Sequence, residues 1–245
     1  MRLLSWNVAR RLEKLPAQAG AVLSAQPDVV ALQEVSDSGE PRWMDALWAG
    51  GLEHVAAAPR MPGRHGVLVA AREPLAVVPG AVVAPWPESV LTVDVGGVRL
   101  HAAHVPNARN GWTKVRTLQA LRAAVEGDDR PRAVCGDLNT PRRENPLVTF
   151  ARDSRARLRP ERGEEWDEAE AALLDGRAGL IDAYRALHPD GADRSWVYPY
   201  GTGGYRIDHV LVSPDVSVRA CRYHHDWREA GLSDHSAMEA ELEIP

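Results

Sequence analysis

Cysteine is scarce: Cys135 and Cys221 are the two among 245 residues. Both fall in apolar, strand-like runs, which argues against a disulfide framework and fits a reducing compartment. They are not spaced as a zinc site either. No stretch approaches the roughly 20 apolar residues of a membrane-crossing helix. Residues Met1 to Asn7, MRLLSWN, lack the long apolar core of a signal peptide. The expectation is a cytoplasmic protein with no membrane partner and no obligate protein partner. An excess of positive charge is missing too. The formal net charge of −5 excludes a strongly basic nucleic-acid coat but leaves room for a local basic patch. Lysine is nearly absent, Lys14 and Lys114 being the two among 29 basic residues, which reads as a composition bias toward arginine. Repeats, low-complexity segments and long linkers are also lacking. With 44% hydrophobic residues to build a core, the expectation is one domain over residues 1–245.

What is present is a series of short apolar strands that end in polar residues. Residues 2–8 read as a strand ending near Asn7. A helix follows over about 14–26 with Pro16 in its first turn and Leu15, Ala19, Val22 and Leu23 on one face. Val29 to Leu32 is a near-continuous apolar strand running into Gln33 and Glu34. A crossover helix between parallel strands brings Asn7 and Glu34 to the same sheet edge. Further elements are expected as a helix over about 41–50, strands near 52–58, 66–71 and 74–78, and a hairpin of 89–95 and 98–105 closed by Gly96-Gly97. Its second strand leads into His104-Val105-Pro106-Asn107. A helix over about 114–125, with Thr113 as N-cap, precedes the run Ala133 to Pro141. There an apolar strand stops at Gly136 and presents Asp137 and Asn139, two apart and so on one side of an extended chain. Gly136 removes a side chain where another backbone or a ligand comes close. The plainer reading is a strand-to-loop turn, since Asp, Asn and Thr are ordinary turn residues.

Seven arginines between Arg142 and Arg162 precede an acidic helix expected over 164–175. They read as a solvated helical excursion or as phosphate contacts at a site rim. A strand over 205–212 carries Arg206, Asp208 and His209, and the final strand, over about 237–244, follows Ser233-Asp234-His235. Both halves share the layout of strands, helical crossovers and polar strand ends. The expected fold class is α/β, with two mixed β-sheets packed face to face and flanked by helices.

The polar strand-end residues are Asn7, Glu34, His104, Asn107, Asp137, Asn139, Asp208, Asp234 and His235. An acid such as Glu34 beside the Asn7 amide is a hard-oxygen site, which favours Mg²⁺ or Mn²⁺ over zinc. LSWNV at 4–8, LQE at 32–34, HVPN at 104–107, GDLN at 136–139, RIDHVLVS at 206–213 and LSDHS at 232–236 resemble the ordered motifs of the endonuclease/exonuclease/phosphatase superfamily. The resemblance spans nearly the whole chain and implies a DNase I-like four-layer α/β sandwich. It also implies a metal-dependent phosphodiester hydrolase with nucleic acid, DNA or RNA, as substrate. Alternative substrates are a small phosphate ester or a phospholipid head group. A catalytically dead binding domain would have lost Glu34, Asp137 or His235, and all three are present.

The resemblance implies that Asn7, Glu34 and Asp234 form the metal site and that Asp137, kept in place by Asn139, orients the attacking water. It further implies that Asp208 pairs with a phosphate-holding His235, and that Asn107 contacts phosphate. His104 stands where exonuclease III-type enzymes carry tyrosine, and is favoured over His101, which faces the other way on an extended strand. His209 is read as structural for the same reason. Arg109 and Trp112 are candidates for a nucleic-acid backbone and a stacked base.

Overall fold

The computed structural model describes residues 1–141, 163–198 and 203–245. The arginine run at 142–162 lies outside the described residues. Two six-stranded sheets stack face to face. The first contains β1 (Arg2–Asn7), β2 (Val29–Val35), β3 (His54–Ala57), β4 (Gly66–Ala71), β13 (Ser217–His224) and β14 (Ala237–Glu243), in the order β13-β14-β1-β2-β4-β3. The second contains β5 (Leu75–Val77), β6 (Val90–Val95), β7 (Val98–His104), β8 (Arg132–Asp137), β9 (Ile181–Asp182) and β12 (Asp208–Val212), in the order β5-β6-β7-β8-β12-β9. A short hairpin of β10 (Trp196–Val197) and β11 (Gly204–Tyr205) stands apart. Each large sheet contains a parallel pair near its centre, β1 with β2 and β7 with β8, and its other pairs are antiparallel. The crossovers are α1 (Leu15–Ser24) in one sheet and α3 (Trp112–Glu126) in the other.

Side-chain alternation sorts the strands into layers. Leu3, Val29, Ala31, Val69, Leu100, Ala102, Cys135, Val210 and Met238 meet between the sheets. Leu4, Trp6, Val30 and Leu32 point outward against α1 and α2 (Glu40–Ala49). Val134 and Leu211 point outward against α3 and α4 (Glu164–Ala172), through Val115, Leu118, Leu121 and Trp166. The expected four-layer α/β sandwich is therefore the observed one.

The expected hairpin forms with Gly96 and Gly97 at φ +55° and +80°, the twist a tight two-residue turn requires. Two local expectations are corrected. α3 starts at Trp112 with Gly111, not Thr113, as its N-cap residue. Gly111 has φ +58°, and Thr113 lies inside the helix with its carbonyl accepting from Thr117 Oγ1. The strand expected over 205–212 is broken at Arg206 and Ile207 into β11 and β12. There the backbone N–H groups of Ile207 and Asp208 both donate to Ser195 Oγ instead of a neighbouring strand.

Gly136 has φ +134°, and a Cβ there would sit 1.9 Å from the Ala103 carbonyl oxygen of the adjacent strand. Gly136→Ala is therefore expected to cost at least about 2 kcal/mol. Gly20, exposed in α1 with open space where a Cβ would go, is expected to gain about 0.5–1 kcal/mol as alanine. Urea unfolding of the two variants beside the wild type checks both signs.

Candidate active site

The parallel pairs deliver polar residues to one edge of the stacked sheets. In the second sheet His104 is in register with Asp137, and Asp137 with Asp208. The three form a row across β7, β8 and β12. They continue the inward-facing sets Leu100–Ala102, Ala133–Cys135 and Val212–Val210, so all three face the first sheet. The same alternation sends His101 and His209 outward. His101 Nδ1 is 2.9 Å from Thr92 Oγ1, and burial pushes its pKa down to about 4. His209 Nε2 is 2.9 Å from the Thr140 carbonyl.

In the first sheet Asn7 follows Leu3 on the inward face. Its Nδ2 donates to Asp137 Oδ2 at 3.0 Å and to Glu34 Oε1 at 3.3 Å. Strict alternation would place Glu34 with Val30 and Leu32 on the outer face. A bulge between Leu32 and Val35 and a left-handed backbone at Glu34, φ +57°, turn it toward the cleft instead. Its carboxylate lies 2.8 Å from Arg10 Nε and 3.7 Å from His104 Nε2.

Asp137 is fully buried beside Asp208, and desolvation together with that like charge raises its pKa. Its carboxylate is held from the loop side by Asn139, whose backbone N–H donates to Oδ1 at 2.8 Å and whose Nδ2 lies 3.2 Å from Oδ2. Side-chain alternation does not produce this pairing. β8 ends at Asp137, and a left-handed Asn139, φ +48°, folds back on it. Asn139 Nδ2 also donates to the Val105 carbonyl at 2.9 Å, and Asn107 Nδ2 donates to Asn139 Oδ1 at 3.3 Å.

His235 closes the cleft. Its Nδ1–H donates to Asp208, 2.9 Å from Oδ2, and its Nε2 points to Asp137 Oδ2 at 3.9 Å. Burial works against the charged imidazole, but the Asp208 and Asp137 carboxylates outweigh it and raise the pKa to about 10. The loop bearing His235 is strapped to the first strand. Trp6 Nε1 donates to the His235 carbonyl at 3.0 Å, and Ser233 Oγ donates to the Asn7 carbonyl at 2.6 Å.

The remaining expected residues are less central. Asp234 is exposed beside His235, and its charge contributes to the raised imidazole pKa. The Arg109 backbone N–H donates to Asn107 Oδ1. Trp112 is half-exposed at the start of α3, edge-on to Trp166. Several contributors were not singled out as site residues by the sequence. Arg10 pairs with Glu34. His65, just before β4, has a pKa lowered by burial and by Arg10, and its Nδ1 is buried without a partner among the described residues. Tyr223 donates to the Asp208 carbonyl at 2.6 Å. Trp196, bridged to His235, stacks with Tyr205 at an interplanar angle of 2° and packs edge-on to Tyr198. Ser233 stands inside the LSDHS motif, and Lys114 was visible only as a rarity of composition.

Asp137, Asp208 and His235 offer atoms within 4.8 Å of one another that could hold a metal. With its Nδ1–H donated to Asp208, the His235 ring offers Nε2 to this cluster. On the other wall the Glu34 carboxylate reaches into the cleft with Arg10 Nε 2.8 Å away, a hard-oxygen donor of the kind that suits a divalent cation.

A search of curated proteins finds no significant match to the sequence. Solved structures share the fold. An AP endonuclease from Archaeoglobus fulgidus is 20% identical with a TM-score of 0.81, covering 100% of both chains. The 3′ phosphatase NExo from Neisseria, bound to a product DNA hairpin, is 23% identical with a TM-score of 0.75, covering 99% of each chain. An endonuclease/exonuclease/phosphatase from Beutenbergia cavernae is 22% identical with a TM-score of 0.70, covering 100% of this chain and 71% of that one. The endonuclease/exonuclease/phosphatase family model matches residues 4–235. That span runs from the first strand to His235 and contains every carboxylate described above, and on it the chain belongs to the endonuclease/exonuclease/phosphatase family of metal-dependent phosphoester hydrolases.

Proposed function

We propose that this hydrolase cleaves phosphodiester bonds in nucleic acid, DNA or RNA, using Mg²⁺, with Mn²⁺ as a substitute. The observation that carries the reading is the bridge from Asn7 to both Glu34 and Asp137, which sets a metal-type carboxylate and a water-handling carboxylate side by side. Glu34, with Asn7 and Asp234, would hold the cation, which when bound supplies a Lewis acid for a phosphoryl oxygen. Asp137, fixed by Asn7 and Asn139, orients and deprotonates the attacking water. His235, charged and steered by Asp208, presents Nε2–H to the phosphate and stabilises the negative charge that develops there. His104 and Asn107 supply further donors at the same edge. The face of Trp196, Tyr198 and Tyr205 beside His235 suits a stacked base, which favours nucleic acid over a bare phosphate ester. A nuclease and a 3′ phosphatase both occur among the proteins that share this fold. Phosphatase action is therefore the competing activity within the same chemistry. The Asn7–Glu34–Asp137 and Asp208–His235 contacts give no support to a dead binding domain.

With Mg²⁺ present, abasic duplex, single- and double-stranded DNA, RNA, bis-p-nitrophenyl phosphate and inositol phosphates form the decisive panel. Turnover of nucleic acid is expected. Cleavage of inositol phosphates alone would overturn the nuclease reading. Asp137→Asn is expected to lower kcat by about 10²–10⁴-fold. Glu34→Gln and excess chelator should each abolish the metal-dependent rate, and full activity in chelator would refute the mechanism.

The raised pKa of His235 has a stability consequence with a definite sign. The folded value of about 10 exceeds the roughly 6.5 of an unfolded histidine. Its contribution is therefore complete below about pH 6.5 and is lost as pH rises through about 10. Asp208→Asn removes the nearest carboxylate and should lower the imidazole pKa by roughly 1–3 units. NMR titration of the His235 ring reads the shift, and melting temperatures between neutral and alkaline pH should fall less steeply in the variant.

A further inference from the structure

Lys114 is buried to 1% exposure in the first turn of α3. That is a costly place for an ammonium group. Burial penalises the charge, and the helix N-terminus already carries positive potential. Partners among the described residues offset the cost. Nζ donates to the Asn139 carbonyl at 2.6 Å and pairs with Glu170 Oε1 of α4 at 3.1 Å. Glu170 is itself buried. Few sites in a chain so rich in arginine use lysine, and here a compact ammonium on a long stem reaches the Asn139 carbonyl and the Glu170 carboxylate.

The contact matters because of what Asn139 does. Asn139 provides two of the donors that fix the Asp137 carboxylate, and it does so from a left-handed backbone that few residues other than glycine and asparagine adopt readily. The next carbonyl, Thr140, is held in turn by His209 Nε2. Arg206 donates to His209 Nδ1 at 3.1 Å, so Nδ1 is the acceptor nitrogen and Nε2 carries the proton that Thr140 accepts. Successive carbonyls of the turn are thus gripped by buried donors, one on α3 and one on β12.

We propose that Lys114 is a positioning residue of this hydrolase: by gripping the Asn139 carbonyl it keeps the turn left-handed and the Asp137 carboxylate aimed. This rests on the reading of Asp137 given above. Because Lys114 acts through the backbone carbonyl of the turn and not on the reacting atoms, its removal should change kcat more than KM.

Lys114→Met alone would remove a cation from the buried Glu170 carboxylate. The informative variant is therefore Lys114→Met/Glu170→Leu, which replaces both charges with apolar groups. Leu121→Ala, on the core face of the same helix, controls for lost stability. With bis-p-nitrophenyl phosphate and Mg²⁺, the double variant is expected to lose on the order of 10²-fold in kcat with KM nearly unchanged, while Leu121→Ala keeps its kcat. Amide hydrogen exchange supplies a readout that needs no turnover. The Asn139 N–H should exchange about tenfold faster or more in the double variant, with the amides inside β8 as protected as before. Wild-type kcat in the double variant, a kcat loss matched by Leu121→Ala, or unchanged Asn139 protection would each overturn the proposal. A wild-type protein that hydrolyses none of the panel would sink the nuclease reading, and the exchange result would still decide whether Lys114 holds the turn.

Discussion

One carboxamide joins the two sheets at the point where the chemistry is concentrated. Asn7 belongs to the first sheet, and its Nδ2 reaches a carboxylate in each sheet, Glu34 at 3.3 Å and Asp137 at 3.0 Å. Acids brought so close in a buried cleft repel one another and lose their hydration. The surrounding groups are those that make this tolerable. They are the amide donors of Asn7 and Asn139, the Arg10 guanidinium on Glu34, and an imidazolium held between Asp208 and Asp137. Two layers are needed because no single strand pair could offer carboxylates from opposite sides of one cavity. The parallel pairs β1–β2 and β7–β8 give each sheet an edge to contribute.

The row His104–Asp137–Asp208 shows how register becomes chemistry. Each residue continues an apolar inward set on its own strand, so hydrophobic packing between the sheets fixes their aim without a dedicated contact. A slip of one residue in any of these strands would send its acid or imidazole to the helix side, where His101 and His209 already sit.

This arithmetic is also why much of the molecule was legible in its sequence. Period-two alternation gave His104 over His101 and set His209 aside. Apolar runs ending in acids gave the strand ends, and the Gly96-Gly97 pair gave the hairpin. Two residues arrive where expected by a route that alternation does not describe, and the cause in both is a departure from regular backbone. Glu34 reaches the cleft through a bulge and a left-handed residue, and Asn139 folds back on Asp137 through another. The sequence shows that a polar residue follows a strand, not which way an irregular turn will aim it. The helix start at Trp112 was misjudged because Gly111 supplies the needed backbone without a side-chain cap. Lys114, Tyr223 and Ser195 stayed hidden because they act on backbone carbonyls and N–H groups, which carry no residue identity to match.

The strap between the first strand and the His235 loop has a consequence for how the protein comes into being. Trp6 and His235 stand 229 positions apart, and Ser233 and Asn7 226, so the cleft has no local precursor. Contacts of such separation form late and slowly, because a long loop must be closed before they stabilise anything. A nascent or partly folded chain can possess β1, its crossover helix and Glu34 and still have no imidazole over its carboxylates. Hydrolytic competence is thus withheld until the whole sandwich has closed.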